Sequence, residues 1–188
     1  MRVLGICGSP RKGGNSDIVL ERFLAGTKEN RAEVEKIYLC DLDISPCQEC
    51  GGCDETGVCI VHDDMEKLFD KISAVNHLIV ASPIFFTNLS AQTKTFIDRF
   101  QCFWIAKYVL KKPRVEKQNN KKGYFIAVGG QNEIGHYQCS EKVIKAFFAV
   151  INFQYEEGIY FPAVDERNDV LKHKDKLIEI FNRGKTLL

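Results

Sequence analysis

The sequence predicts an α/β fold in which helices cover both faces of an open parallel sheet. Short apolar runs alternate with longer amphipathic segments along the 188 residues, which is the pattern of repeated strand and helix units. The run 77–81 (HLIVA) is apolar throughout, as in strands buried on both faces. The first apolar run ends in a glycine-rich loop that opens a helix. We identify five strands and five helices without an internal repeat or linker, and therefore predict one domain over residues 1–188.

The predicted elements alternate in order along the chain. Strands are predicted at 3–7, 32–39, 77–81, 124–128 and 153–161. Helices are predicted at 16–25, 65–72, 90–103, 140–152 and 170–184. We expect Asp63 and Asp64 to cap the second helix. Residues 82–89 are predicted to form the loop that leaves the third strand, and the lysine-rich segment 107–122 to be a long exposed loop.

Composition and charge say little about partners. The chain has 26 basic and 25 acidic residues, so its net charge gives no sign of a nucleic-acid partner, and we expect none. The N-terminal apolar run is too short for a signal sequence, and no later stretch approaches the length of a membrane span. We therefore expect a cytoplasmic protein with no membrane partner. Because thiols stay reduced in that compartment, the eight cysteines indicate metal binding, catalysis or packing rather than disulfides.

Four cysteines stand at the spacing C-x2-C-x2-C-x5-C in residues 46–60, which we call the cysteine loop. They are Cys47, Cys50, Cys53 and Cys59. Glycines among them permit the turns that bend four sulfur atoms inward. The spacing is typical of a [4Fe-4S] cluster, which takes one thiolate per iron, whereas structural zinc sites usually combine two separated pairs. Zinc and ligand-free thiols remain as alternatives. We expect the other four cysteines to fill the core: Cys7, Cys40, Cys102 and Cys139.

The loop 8–16, between the first strand and the first helix, is rich in glycine, hydroxyl and amide groups. A helix N-terminus has unpaired N–H groups and a partial positive charge, so it favours a phosphate. The candidate phosphate-binding residues are Ser9, Arg11, Gly14, Asn15 and Ser16. The alternative is a surface loop in which Asn15 or Ser16 is an ordinary helix cap. The loop matches neither the NTPase nor the dinucleotide pattern, which leaves a cofactor with a single phosphate.

Two further loops follow strands at the same edge of the predicted sheet. The first contains two adjacent aromatic residues, and its candidate residues are Pro83, Ile84, Phe85, Phe86 and Asn88. Aromatic side chains beside a polar amide can form one wall of a pocket for a planar ring. The alternative is a core aromatic pair followed by a turn asparagine. The second loop contains Gly129 and Gly130, where the backbone can approach a flat ring closely.

With the loop 8–16, the aromatic loop 83–88 and the cysteine loop, the chain resembles the NADPH-dependent FMN reductase branch of flavodoxin-like proteins. Within that branch it is most similar to the iron-sulfur flavoproteins. The resemblance implies a doubly wound five-stranded parallel sheet of order 2-1-3-4-5. It also implies that the FMN phosphate lies at Ser9, Arg11, Asn15 and Ser16, and that the ring lies against residues 83–88 and near Gly129 and Gly130. The four cysteines of the cysteine loop would bind a [4Fe-4S] cluster. A homodimer or homotetramer, in which a cluster approaches FMN across a subunit contact, is part of the same expectation.

The function that this resemblance implies is electron transfer between the cluster and FMN. The expected donor is ferredoxin or another small redox protein, or NAD(P)H, and the expected acceptor is oxygen, peroxide or a quinone. We find no acid–base constellation, and electron transfer requires none. Two other functions stay open at this point: a cluster-free NAD(P)H-dependent FMN or quinone reductase, and a redox sensor or binding module without turnover.

Overall fold

Five long parallel strands form the sheet in the computed structural model, which describes residues 1–187. They are β1 (Arg2–Cys7), β2 (Glu33–Tyr38), β3 (His77–Phe85), β5 (Lys122–Val128) and β6 (Gln154–Phe161), in the order β2-β1-β3-β5-β6. A short strand, β4 (Asn88–Leu89), pairs antiparallel with the end of β3. When only the long strands are counted, the order is 2-1-3-4-5, so the predicted flavodoxin-like α/β fold is confirmed.

Helices cover both faces of this sheet. They are α1 (Asn15–Glu29), α2 (Met65–Ala74), α3 (Ala91–Asp98), α4 (Gln101–Trp104), α5 (Ile134–Val150) and α6 (Lys174–Lys185). Successive strand residues point to opposite faces: Leu4 and Ile6 of β1 pack into one core cluster, whereas Val3 and Cys7 pack into the other. The first cluster also contains residues of α2, α3 and α5, and the second contains residues of α1 and α6. The sheet is therefore buried on both sides.

The third strand is longer than predicted. β3 continues through Pro83 and Ile84 to Phe85 and then turns back into β4, so most of the predicted exit loop 82–89 is a hairpin. The turn residues Phe86 and Thr87 have φ values of 48° and 63°. This left-handed conformation matches the twist of a two-residue hairpin, which glycine or asparagine usually provides. Positions 86 and 87 have neither residue, so no hairpin signal was visible in the sequence. The prediction of a loop over residues 82–89 was therefore wrong.

Helix boundaries and the lysine-rich segment also differ from the prediction. The fifth helix begins at Ile134 rather than 140, and its N-cap residue Glu133 forms no side-chain cap that would mark the start. The long exposed loop predicted at 107–122 is wrong in part, because a π-helical turn covers Ile105–Val109. Lys121 is buried and donates hydrogen bonds to the carbonyl oxygens of Ser73 and Val75, both at 2.8 Å.

The eight cysteines are all free thiols. Cys7 and Cys102 are buried in the core, as predicted. Cys40 and Cys139 are exposed, so their prediction as core residues was wrong: Cys40 lies in a 3-10 turn after β2, and Cys139 lies on the solvent-facing side of α5. Within residues 1–187, we find no helix that combines the length and the apolar character of a membrane span.

Candidate functional site

A cavity of about 580 Å³ lies where the parallel strands end, and we call it the strand-end cavity. Four segments form it: the loop into α1, the end of β3, the loop after β5 and the loop after β6. Ten of the twelve residues predicted for the phosphate and the ring line it: Ser9, Arg11, Gly14, Asn15, Ser16, Pro83, Ile84, Phe85, Gly129 and Gly130. Ligands of open α/β sheets bind at this edge, because the loops that leave parallel strands meet there.

One end of the strand-end cavity is suited to an anion. The N-cap of α1 is Gly14, and it forms no side-chain cap, so neither Asn15 nor Ser16 is the ordinary helix cap of the alternative interpretation. The first N–H groups of a helix have no partner within it. The backbone N–H of Gly13 donates to Asp17 Oδ2 at 2.7 Å, which fixes the loop at a glycine whose φ is +67°.

Three cations surround this end: Arg11, Lys12 and Arg167. Lys12 also pairs with Asp41 at 2.6 Å, and the hydrogen bond that the lysine donates to this carboxylate raises the pKa of Lys12. Arginine is suited to phosphate because its donors form a planar fork. The helix N-terminus and the three cations therefore make a site for a phosphate group.

Sequence analysis missed the wall formed by the loop after β6. Val164, Asp165 and Arg167 line the strand-end cavity, and Asn15 Nδ2 donates to the carbonyl oxygen of Glu166 at 2.8 Å. Asn15, predicted as a phosphate ligand, thus also ties α1 to this wall. The only signal in the sequence was positional, because a loop after a parallel strand lies at the same edge as the other binding loops.

The rest of the wall of the strand-end cavity includes apolar side chains and glycines. Pro83, Ile84 and Phe85 form one side, and Gly129 and Gly130 form the other. A Cβ atom at Gly129 would lie 3.0 Å from the hydroxyl of Tyr160, so glycine keeps this side open. The volume lies within the range of roughly 300–1,000 Å³ that is usual for cofactor sites. A mononucleotide with a flat ring fits this cavity.

Phe86 and Asn88 were predicted for the same pocket but lie outside the set of residues that line it. Phe86 lines a neighbouring open cavity of about 650 Å³, together with His136 and Tyr160. Its ring is fully exposed, with a relative accessibility of 101%. Asn88 Oδ1 accepts a hydrogen bond from the backbone N–H of Leu89 at 2.8 Å. Asn88 thus has a local role in the hairpin.

A second cavity, of about 660 Å³, contains all four cysteines of the cysteine loop, and we call it the cysteine cavity. Arg99, Cys102, Trp104 and Ile105 complete its wall. Cys53 and Cys59 are partly buried and pack against the core, whereas Cys47 and Cys50 are exposed. Gly51 and Gly57 have φ values of 74° and 69°, so both predicted turns are present. Among the described residues, none lines both cavities.

The sulfur atoms share this cavity without converging on one point. Among residues 1–187, no group of three or more histidine, cysteine, aspartate or glutamate side chains is arranged to hold a metal ion. A tetrahedral zinc site needs four sulfurs at ~2.3 Å from one ion. A cubane cluster binds each thiolate at a different iron and therefore needs the sulfurs spread around a cavity. Four thiolates are the ligand set that such a cluster takes.

The N-cap residue of α2 is Asp64, and its side chain forms no cap, contrary to the prediction. Asp63, one residue earlier, does support the start of the helix, because its Oδ1 accepts a hydrogen bond from the N–H of Met65 at 3.0 Å. Its other oxygen pairs with Arg99, which sequence analysis did not identify. Burial raises the pKa of Asp63, but the hydrogen bonds from Arg99, Ser45 and Met65 outweigh it, and the pKa lies below its ordinary value. Asp64 accepts instead from the N–H of Asp43, at 3.0 Å.

Comparison with known proteins agrees with this geometry. Residues 1–160 match the family model described as NADPH-dependent FMN reductase. The chain is 32% identical over 143 residues to an iron-sulfur flavoprotein of Methanosarcina thermophila, covering 76% of this chain and 71% of that protein. It is 40% identical over 99 residues to an iron-sulfur flavoprotein of Archaeoglobus fulgidus, covering 53% of this chain but only 45% of that protein.

The fold is also similar to that of a solved structure. An NAD(P)H:quinone oxidoreductase from Methanothermobacter marburgensis aligns with a TM-score of 0.79 at 17% sequence identity. The alignment covers 100% of this chain and 96% of that one. At this level of identity, the similarity supports the fold alone.

Proposed function

This chain belongs to the NADPH-dependent FMN reductase family and is an FMN-dependent oxidoreductase, and on that premise we propose that it transfers electrons between FMN and a [4Fe-4S] cluster. The cluster ligands in this proposal are Cys47, Cys50, Cys53 and Cys59. A [4Fe-4S] cluster exchanges one electron at a time and FMN exchanges one or two, so the pair joins a one-electron donor to acceptors of either kind. The observation that supports the proposal is that all four sulfurs line one cavity.

The roles of the side chains follow from their places around the two cavities. The N-terminus of α1, together with Arg11, Lys12 and Arg167, would bind the phosphate of FMN. The end of β3 and the glycines after β5 would hold the ring edge by backbone contacts and keep water from it. The cysteine loop would hold the cluster at the exit of β2, which lies at the same edge of the sheet as the strand-end cavity. These roles are binding and positioning, and no side chain has to move a proton.

The partners belong to the same proposal. The donor is ferredoxin or another small redox protein, with NAD(P)H as the other candidate, and the acceptor is oxygen, peroxide or a quinone. Lys111, Lys112 and Lys117 are exposed after the π-helical turn, and cations at a surface favour acidic redox partners by steering their approach. We also propose a homodimer or homotetramer, in which subunit contact brings a cysteine cavity near a strand-end cavity. Sedimentation of the loaded protein measures the number of subunits.

Metal analysis of anaerobically purified protein tests the proposal. We expect iron and acid-labile sulfide in near-equal amounts beside FMN. Cys50→Ala should lose the iron and keep the FMN, because Cys50 lines only the cysteine cavity. The control is Cys139→Ala, which removes an exposed cysteine of α5 and should keep both. Full iron content in Cys50→Ala would contradict the ligand assignment.

A cluster-free NAD(P)H-dependent reductase is the second candidate. The observation in its favour is that, among residues 1–187, no group of three or more histidine, cysteine, aspartate or glutamate side chains is arranged to hold a metal ion. For this function we expect purified protein with FMN but with zinc or no metal, and rapid bleaching of the flavin by NADPH alone. Iron with slow bleaching by NADPH and fast bleaching by reduced ferredoxin would exclude this second candidate.

A further inference from the structure

The side chain of Arg99 is buried beneath the cysteine loop. It follows α3, lines the cysteine cavity and is only 1% exposed. Arginine is almost never fully buried unless it is paired, because a charge taken out of water costs free energy that hydrogen bonds must offset. The contacts of Arg99 therefore indicate what its charge is used for.

The guanidinium group connects the two ends of the cysteine loop. Nη1 donates to the carbonyl oxygen of Ser45 at 2.9 Å and also binds the carboxylate of Asp63. Nη2 donates to the carbonyl oxygen of Val61 at 3.4 Å. Ser45 directly precedes the loop 46–60 and Val61 directly follows it. One planar group thus fixes both ends of a segment that contains no helix or strand.

The same group contacts a cysteine inside the loop. Nη2 lies 3.5 Å from Sγ of Cys59, within hydrogen-bonding distance for sulfur. Nε is buried and has no hydrogen-bond partner among the residues that the structure describes. A neutral thiol is a weak acceptor, whereas charge-assisted bonds to an anionic acceptor are about twice as strong as neutral ones. The arrangement therefore suits a negatively charged sulfur centre better than four neutral thiols.

We propose that Arg99 is a positioning residue that closes the cysteine loop and holds a fixed positive charge beside Cys59. This inference rests on the proposed function, because the charge would act on the cluster. A positive charge near a redox centre stabilises the form that has gained an electron, so Arg99 would raise the reduction potential of the cluster. We call the hydrogen bonds from Arg99 to the carbonyl oxygens of Ser45 and Val61 the clamp. They do not depend on any bound metal.

Two substitutions separate the clamp from the charge. Arg99→Met removes both and keeps much of the volume, whereas Arg99→Lys keeps the charge but lacks the fork that spans Ser45 and Val61. The matched control is Lys121→Met, which removes another buried cation that donates to the carbonyl oxygens of Ser73 and Val75 and lies outside the wall of the cysteine cavity. An effect that Lys121→Met and Arg99→Met share comes from the loss of a buried cation in general. Only the additional effect in Arg99→Met is assigned to its position beneath the cysteine loop.

Three measurements, none of them turnover, test the proposal. In iron-free protein, Arg99→Met should increase amide deuterium exchange in residues 45–61 at least tenfold. In loaded protein, both Arg99 variants should lose iron to a chelator at least tenfold faster. Only Arg99→Met should have a more negative reduction potential. Lys121→Met should change none of these, and all variants should keep their FMN.

Several results would overturn the proposal. One is deuterium exchange of residues 45–61 that stays at the wild-type rate in Arg99→Met; another is an equal increase in Lys121→Met. A wild-type protein without iron would refute the proposed function, while the exchange measurement would still decide the clamp. If Arg99→Met fails to fold, Arg99→Lys decides: faster iron loss at an unchanged potential supports the proposal, and wild-type iron retention overturns it.

Discussion

The strand-end cavity and the cysteine cavity lie at one edge of the sheet but are built differently. The strand-end cavity is formed by the end of β3, by the loops that follow β1, β5 and β6 and by the first turn of α1, so the hydrogen-bonded sheet sets its shape. The cysteine cavity is formed largely by residues 45–61, which contain no helix or strand and are held at both ends by the side chain of Arg99. A site made by strand ends has the rigidity of the sheet, whereas a site on an inserted segment depends on a few tethers.

The largest effect is expected at Gly8, just after β1, where the backbone packs closely against α3 and β3. A Cβ atom at Gly8 would lie 1.8 Å from Thr93 Oγ1 and 3.2 Å from the carbonyl oxygen of Ala81. Thr93 is fully buried and cannot move away easily. Gly8→Ala should therefore reduce the free energy of unfolding by about 2–3 kcal/mol and weaken FMN binding, as measured by urea unfolding and flavin titration.

Gly135→Ala is the control for this substitution. A Cβ atom there has its nearest neighbour at 3.6 Å, so the change should be close to neutral. If Gly8→Ala is as stable as Gly135→Ala, the close approach of β1 and α3 does not constrain the fold. If deuterium exchange of the cysteine loop also rises in Gly8→Ala, the two cavities are less independent than their separate walls indicate.

The next effect concerns the opposite edge of the sheet, away from both cavities. His77 begins β3 and is 4% exposed. Burial, then the charges of Lys122 and the N-terminus, lower the pKa of His77 from 6.5 to about 4. Between these values the unfolded chain binds a proton that the folded chain does not. The free energy of unfolding should therefore fall as pH drops from 6.5 to 4, by roughly 2–3 kcal/mol.

Replacement of this histidine tests the sign. His77→Phe keeps an aromatic ring beside Tyr124, whose centroid lies 6.1 Å away, and should remove most of the pH dependence in urea unfolding. The same measurement on His62→Gln, which removes an exposed histidine paired with Glu66, shows how much of the dependence another histidine contributes. An unchanged slope in His77→Phe would show that other groups cause the acid sensitivity.

A smaller effect should distinguish the two cavities directly. Arg11→Ala and Arg167→Ala each remove a cation from the strand-end cavity and none from the cysteine cavity. We expect each to weaken FMN binding by at least about tenfold, since a charge-assisted hydrogen bond contributes ~1.5–3 kcal/mol. Iron content should stay constant, and salt should reduce the difference from wild type.

Arg183→Ala is the control, because Arg183 pairs with Glu157 and lies outside both walls. Flavin fluorescence titration at low and high salt gives the dissociation constants. Loss of iron in Arg11→Ala or Arg167→Ala would indicate that the cavities are coupled within one subunit or across a contact.

The smallest effect is expected at Asn15. Its side chain joins α1 to the segment after β6 by two hydrogen bonds. Nδ2 donates to the carbonyl oxygen of Glu166 at 2.8 Å, and Oδ1 accepts from the N–H of Val170 at 3.4 Å. Asn15→Ala should weaken FMN binding about threefold to fivefold, since one net hydrogen bond contributes ~1 kcal/mol. Asn182→Ala, at an exposed position of α6, is the control. Equal affinities in the two variants would mean that the tether does not support the cavity.

Sequence analysis succeeded where the signal is local. The apolar run of β3, the glycines at Gly129 and Gly130 and the polar loop before α1 each mark a strand end within a few residues, and they meet in one cavity. The start of α5 was missed because Glu133 forms no side-chain cap and the first turn consists of Ile134–Tyr137, with no helix-start signal.

Non-local contacts could not be predicted in this way. Arg99 meets its partners across 36 to 54 residues of sequence, and nothing near position 99 distinguishes it from an exposed arginine on a helix. The wall at Val164–Arg167 has no motif, because its contribution comes from its place after β6. Cys40 and Cys139 lie at or near apolar runs of the sequence, as core cysteines do, and only the fold shows that they face solvent.

The tether between Asn15 and the loop after β6 has a consequence for biosynthesis. Translation supplies the segments in order, but a single domain generally folds as a unit. The cysteine loop and its arginine are synthesised well before the segment that completes the other cavity. A nascent chain therefore cannot complete the place for the nucleotide, and flavin uptake must wait, until β6 has joined the sheet and Asn15 has met the loop that follows it.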